Sequence, residues 1–217
     1  MDLRLQDLNQ DMRFFGCEKL EKAIEMVSKV ISETKEYITS GVNFDSLRTY
    51  DNCTFLHCRN VSLLTVMLAQ EMGYNGKGLK EIALGALLHD IGKLIVPKSI
   101  LDKPSSLNED EYNLMKKHPE YGMKILETYS LSENIRMPII QHHERLGGTG
   151  YPFGLKADEI HPNAQIVAVA DVFDALISDR PYRRSLPLGQ SIEIIITGKE
   201  KDFSQEVVEA FLNLFIL

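Results

Sequence analysis

All-α is the fold class this sequence predicts, and three observations predict it. Along nearly all of the 217 residues, apolar side chains recur at three- and four-residue spacing, the repeat of a helix face. Strict alternation of apolar and polar residues, the mark of a half-buried strand, is scarce. Capping residues, prolines and glycines punctuate the periodic stretches where helices should start and stop.

The elements follow in order. Residues 18–39 place Leu20, Ile24, Val27, Ile31 and Ile38 on one stripe closed by Gly41. This suits a helix packed on the rest of the chain or on a second copy of it. Residues 1–46 are read as an N-terminal helical extension, with a homodimer through that helix as one expectation. They are too short for a sensory fold, so regulation is expected through that dimer or from a separate chain. From about Thr54 the next helix sets His57, Val61, Leu64 and Leu68 at offsets of four, three and four, and Gly73 ends it. Residues 80–95 are apolar nearly all round, as a central buried helix should be, with His89, Asp90 and Lys93 as exceptions. Asn108 and Glu111 form a capping box, stapled by Leu107 and Tyr112, for a short helix to Lys117. Pro119 starts another and leaves His118 at the junction. Ser132 caps a further helix, kinked or restarted by Pro138 before His142-His143. Residues 145–154 carry five glycines or prolines and must form a loop. Asn163 is expected to cap a helix containing Asp171 and Asp174, and helices near 187–197 and 205–216 complete a domain spanning 47–217.

Composition narrows the function classes. At 44% hydrophobic and 25% charged, the chain reads as one compact domain large enough to bury a site. Cys17, Cys53 and Cys58 show neither zinc-type nor secreted spacing, so reduced thiols in a cytoplasmic protein are expected. No apolar run reaches membrane-spanning length, and the start does not open a signal peptide. A net charge of −7 excludes extensive contact with a nucleic-acid duplex but not binding of a small phosphorylated ligand.

Five of the six histidines join two aspartates in one ordered set: His57, His89-Asp90, His118, His142-His143 and Asp171. Imidazole mixed with carboxylate suits iron, manganese, zinc or nickel better than calcium or magnesium. Seven ligands exceed one tetrahedral site. With Asp90 as a bridge, each of two metals roughly 3.5–4 Å apart receives about four donors and keeps positions for water and substrate. Each residue alone has a plainer reading. A lone histidine on an apolar face, such as His57, is usually a hydrogen-bonded core residue. Asp90 in a fully apolar helix needs a cation, and Lys93 could be that cation. Lys93 cannot also account for Asp171, His118 and two contiguous histidines before a glycine loop. His161 is read as a loop residue and Asp174 as support for a ligand imidazole. The run Arg180 to Arg184 resembles a solvated helix end, but it follows Asp171 closely enough to fold back toward the metals.

The order His57, His89-Asp90-Ile-Gly-Lys93, His118-Pro119, His142-His143-Glu144-Arg145, Gly150-Tyr151-Pro152, Asp171 and Asp179-Arg-Pro-Tyr-Arg183 resembles the HD-GYP family. That family is a branch of the HD-domain metal-dependent phosphohydrolases. The resemblance runs from about Leu47 to the C-terminus. It implies a helical HD bundle with a buried pair of iron or manganese ions and a glycine- and proline-rich loop at the mouth. It also implies bacterial signal transduction: hydrolysis of cyclic di-GMP to linear pGpG, in some members onward to GMP. Carried over by position, His57, His89, Asp90 and Asp171 hold one metal, and Asp90, His118, His142 and His143 the other. Lys93, Arg180 and Arg183 match positions that contact phosphate, and Gly150, Tyr151 and Pro152 form the loop that names the family. Attack in line by a hydroxide bridging the metals, with Asp90 and Lys93 as catalytic residues, is the chemistry expected.

Four departures accompany the match. Cys53 stands one turn before His57, where members with a third metal carry glutamate, so two metals are expected, with thiolate ligation as the alternative. Gly147 replaces a usual aspartate, Gln165 a usual arginine, and Phe203-Ser-Gln205 a Phe-Asp-Pro turn. Two other functions stay open: hydrolysis of another cyclic dinucleotide or nucleotide, and a module that binds cyclic di-GMP without turning it over. A diguanylate cyclase or sensor protein is the partner class the resemblance implies.

Overall fold

A computed structural model describes residues 15, 17–37, 44–179 and 183–216, and every structural statement below concerns these. Ile38, Gly41 and Arg180, which the sequence reading singles out, lie outside them. The helices run α1 (Cys17–Tyr37), α2 (Phe44–Tyr50), α3 (Asn52–Glu71), α4 (Gly76–Leu88), α5 (Lys98–Leu101), α6 (Glu109–Met115), α7 (His118–Ile125), α8 (Glu133–Gln141), α9 (Pro162–Ile177), α10 (Leu188–Thr197) and α11 (Gln205–Asn213). Strand-like pairing among the described residues is confined to isolated bridges, such as Gly147 with Lys156 and Lys199 with Phe203.

The centre of the bundle is α3, not the 80–95 segment. Every residue of α3 from Thr54 to Ala69 except Leu56 is buried. It starts at Asp51, whose carboxylate accepts from the Cys53 amide at 2.9 Å and the Thr54 hydroxyl at 2.5 Å. Around it pack α1, α2, α4, α9 and α11. Of the two partners left open for the first helix, the described residues show the domain itself. Leu20, Ile24, Val27 and Ile31 are buried in a core that also contains Leu64, Ile82 and Phe173.

The segment read as one helix over 80–95 is two elements. Helix α4 begins earlier, at Gly76, and stops at Leu88. Asp90 leaves helical geometry (φ −101°, ψ 8°) and caps a 3₁₀ turn over Ile91–Leu94. The break is a matter of space: a Cβ on Gly92 would lie 1.9 Å from the His118 carbonyl oxygen and 2.4 Å from the Gly122 amide. The 3₁₀ turn is thereby pressed onto α7, a contact that only glycine permits.

Elsewhere the boundary signals act as read, with one correction. Asn108 and Glu111 form the reciprocal capping box of α6, and Pro119 sits in the first turn of α7. Pro138 lies inside α8 without ending it. The cap of α9 is His161, whose imidazole accepts from the Asn163 amide at 3.1 Å, so His161 is more than a loop residue. Asn163 instead donates to the Asn134 carbonyl at 3.1 Å and ties α9 to α8.

Candidate metal centre

The seven residues of the ligand set arrive from five places in the bundle. His57 comes from the second turn of α3, and His89 and Asp90 from the break after α4. His118 opens α7, His142 and His143 follow the end of α8, and Asp171 lies inside α9. Two groups form, His57 with His89 and Asp171, and Asp90 with His118, His142 and His143, the potential ligand atoms of each lying within 4.8 Å of one another.

Asp90 joins them. Its Oδ2 faces the first group, 3.7 Å from His57 Nε2 and 3.4 Å from His89 Nε2. Its Oδ1 faces the second, 3.1 Å from His118 Nε2 and 3.9 Å from His142 Nε2. The residue is 1% exposed, and Oδ1 and His89 Nε2 are buried atoms without a hydrogen-bond partner. Buried polar atoms left in that state cost about 1–3 kcal/mol each, more when charged.

The histidine tautomers explain why. His89 Nδ1 donates to the Ala86 carbonyl at 2.7 Å, His118 Nδ1 to that of Met115 at 2.8 Å, and His142 Nδ1 to that of Pro138 at 3.0 Å. His57 Nδ1 donates to the Asp174 carboxylate at 2.6 Å. Tying each Nδ1–H in this way leaves the Nε2 lone pair as the free end, the usual orientation of a ligating imidazole. Lone pairs and carboxylate oxygens therefore converge on the same space. His118 Nε2 and His142 Nε2 are 3.2 Å apart, and His57 Nε2 is 2.9 Å from Asp171 Oδ1. Acceptors that meet acceptors repel unless a cation stands between them. This donor set fits divalent transition metals.

The charges agree with that demand. Burial alone would raise the Asp90 pKa, but the Lys93 ammonium, followed by His89, holds the carboxyl well below the usual range. Asp171 is likewise held low, against burial, by the surrounding imidazoles, His57 first and then His143 and His89. Burial depresses the His89 pKa, yet Asp90 and then Cys58 outweigh it and push the value well up. His142 is pushed well down by burial and by its histidine neighbours, so it stays neutral and able to ligate.

Lys93 owes its position to the 3₁₀ turn. In that geometry side chains three apart eclipse, and Lys93 Nζ lies 2.5 Å from Asp90 Oδ2. Lys93, His118, His143 and Tyr151 border a cavity of ≈ 390 Å³ that leads outward from the cluster. The loop closes one side of it. A Cβ on Gly150 would come within 2.4 Å of Glu144 Cα, so glycine alone lets the Tyr151 amide reach the His143 carbonyl at 3.2 Å. The Tyr151 ring then stacks on His143, with centroids 4.6 Å apart, and Pro152 follows through a cis bond. Arg183 is turned elsewhere: its Nη2 donates to the Ala175 carbonyl on α9, and among the described residues it does not border the cavity.

Three residues to which the sequence reading gives no role at the site belong to this construction. Glu144, 2% exposed, accepts from the amides of Phe153 at 2.7 Å and Leu155 at 3.0 Å and so anchors the loop. Nothing periodic marks such a carboxylate. Asn60 donates to Asp174 Oδ1 at 3.0 Å, and its signal was present, since His57 and Asn60 are three apart on α3 just as Asp171 and Asp174 are on α9. Cys58 groups with His89 and Asp90, whereas Cys53, the thiol considered for ligation, belongs to none of the ligand groups among the described residues.

A family model described as the HD domain matches residues 18–207. The chain belongs to the HD-domain family. Within it, the chain is 43% identical over 169 residues to a cyclic di-GMP phosphodiesterase of Thermotoga maritima, a match covering 74% of this chain and 44% of that one. It is 35% identical over 192 residues to one of Pseudomonas aeruginosa, covering 88% and 46%. A 3'3'-cGAMP-specific phosphodiesterase of Vibrio cholerae is 41% identical over 142 residues, covering 65% and 33%. This HD-domain chain thus spans about half the length of the first two relatives. Among solved structures, an HD-GYP-type protein from Bdellovibrio bacteriovorus shares the fold at a TM-score of 0.65 and 22% identity, covering 92% of this chain and 73% of that one. The HD-GYP resemblance carried by the motifs agrees with these relatives, and no helix among the described residues is long and apolar enough to cross a membrane.

Proposed function

We propose that this HD-domain chain is a metal-dependent phosphodiesterase that opens cyclic di-GMP to linear pGpG and can continue to GMP. The observation that carries the reading is the division of Asp90, one oxygen toward His57 and His89 and the other toward His118 and His142. In this reading His57, His89, Asp90 and Asp171 hold one ion and Asp90, His118, His142 and His143 a second, iron or manganese in both cases. Such a pair supplies an activated water and offsets charge on the phosphoryl oxygens. The chain does the rest. Asp174 and the Ala86, Met115 and Pro138 carbonyls orient the imidazoles. Lys93 brings an ammonium to the edge of the cluster, where it stabilises negative charge on phosphate. Tyr151, stacked on His143, shields that side from bulk water. Arg180 and Arg183 are proposed to bind phosphate, which for Arg183 requires release from the Ala175 carbonyl. The reaction is placed in the cytoplasm.

Anaerobically prepared protein loaded with iron or manganese should convert cyclic di-GMP to pGpG, resolved by chromatography. Binding without product would instead establish a sensing module and overturn the proposal. A second reading, hydrolysis of a mixed cyclic dinucleotide, draws on the cGAMP-specific relatives at 33–41% identity. Turnover of cGAMP with none of cyclic di-GMP would select it.

A further inference from the structure

We propose that Tyr112 is the platform on which a purine base of the substrate stacks, an inference that rests on the phosphodiesterase reading above. The cavity beside the cluster is lined by two unlike sets of residues. Lys93, His118 and His143, which belong to or touch the cluster, are polar, while Leu101, Leu107, Met115 and Tyr112 add a largely apolar lining. A phosphate group has no use for an apolar wall. A cyclic dinucleotide carries flat, apolar-faced bases a short distance from its phosphates, and this cavity offers an apolar lining beside the polar one.

Tyr112 is the residue of that wall suited to such a partner. It is 50% exposed, and of the large exposed hydrophobic side chains among the described residues it alone borders this cavity. Its backbone is held by the capped first turn of α6, where Glu111 and Asn108 bond reciprocally and the Tyr112 amide donates to the Asn108 carbonyl at 2.9 Å. Lys116 places its ammonium 5.0 Å from the ring centroid, so a cation already covers part of the π system and the exposed remainder faces solvent. Base stacking on a fixed aromatic ring tolerates any base and does not require hydrogen-bond readout. Ser105 and Ser106, on the same cavity wall, add hydroxyls that suit a base edge.

The test uses the metal-loaded full chain and its Tyr112→Phe, Tyr112→Leu and Tyr112→Ala variants. It measures KM and kcat for cyclic di-GMP beside the inhibition constant of inorganic phosphate, which has no base. Tyr112→Ala should raise KM by about tenfold or more, the loss falling mainly in KM, while Tyr112→Phe stays within about twofold of wild type. Tyr112→Leu should resemble the alanine variant, and phosphate inhibition should be the same in all four. An unchanged KM in Tyr112→Ala overturns the proposal. So does a leucine variant as good as phenylalanine, or a parallel weakening of phosphate inhibition. If wild type binds cyclic di-GMP without hydrolysing it, the phosphodiesterase reading fails alone, and titration of the dinucleotide onto wild type and Tyr112→Ala still reads the stack. Absence of binding to wild type overturns both.

Discussion

The two halves of the candidate metal centre are built in different ways. In the first, His57 and Asp171 stand inside long helices, α3 and α9, and a buried side-chain network of Asp174 and Asn60 holds the imidazole. In the second, His118, His142 and His143 all sit where a helix begins or ends, and His118 and His142 are held by backbone carbonyls of neighbouring turns. A side-chain network can be removed one atom at a time. Backbone carbonyls cannot, so the second half depends on how its helix ends pack, through Gly92 and the Glu144-anchored loop.

The largest effect should come from the residue common to both halves. Asp90→Ala should abolish occupancy by either metal and all turnover; two ions retained in metal analysis of that variant would break the bridging assignment. Next, Gly92→Ala should displace the His118 end of α7, because its Cβ has no room against the His118 carbonyl. Overpacking of this kind costs about 1–3 kcal/mol or more. Thermal unfolding should show the loss, and metal titration should show the second site failing before the first. Lys93→Ala should keep both metals, since it removes a cation that competes for Asp90 Oδ2, yet turnover should fall about 100-fold through lost transition-state charge stabilisation. Loss of metal in that variant would make Lys93 structural.

Smaller changes separate the halves further. Asp174→Ala unties His57 Nδ1 and should weaken the first site by about 10- to 100-fold in metal affinity while sparing the second. Equal weakening at both sites would show that the network serves the whole bundle. Glu144→Gln leaves one acceptor oxygen for the two loop amides, sets its own NH2 against the other, and removes the charge that strengthens those bonds. A several-fold rise in KM with unchanged metal content is expected.

The comparison also separates what was legible in the chain from what was not. His57, Asn60, Asp171 and Asp174 sit at helical offsets, so periodicity shows which side chains share a face. His118 and His142-His143 were legible through their neighbours, Pro119 and the glycine-rich stretch, which mark helix ends. The break at His89-Asp90 was not, because an apolar run reads as continuous helix until something presses on it. The pressure comes from His118 and Gly122, close to thirty residues further along. For the same reason α3 rather than the 80–95 segment proved central, since burial on every side depends on the other helices. His161 as the α9 cap was missed because imidazole is an uncommon acceptor at that position.

By itself the sequence determined the helical class, the order of the seven histidines and aspartates that gather at the candidate centre, and the mixed imidazole and carboxylate chemistry they offer. These depend on residue type and on offsets of three or four, which are local properties. Only the tertiary structure decided which Asp90 oxygen serves which half, which nitrogen of His57, His89, His118 and His142 is left free, and that Lys93 lies against Asp90. Those outcomes depend on contacts between segments far apart in the chain, and no local spacing encodes the direction from which a distant carbonyl approaches.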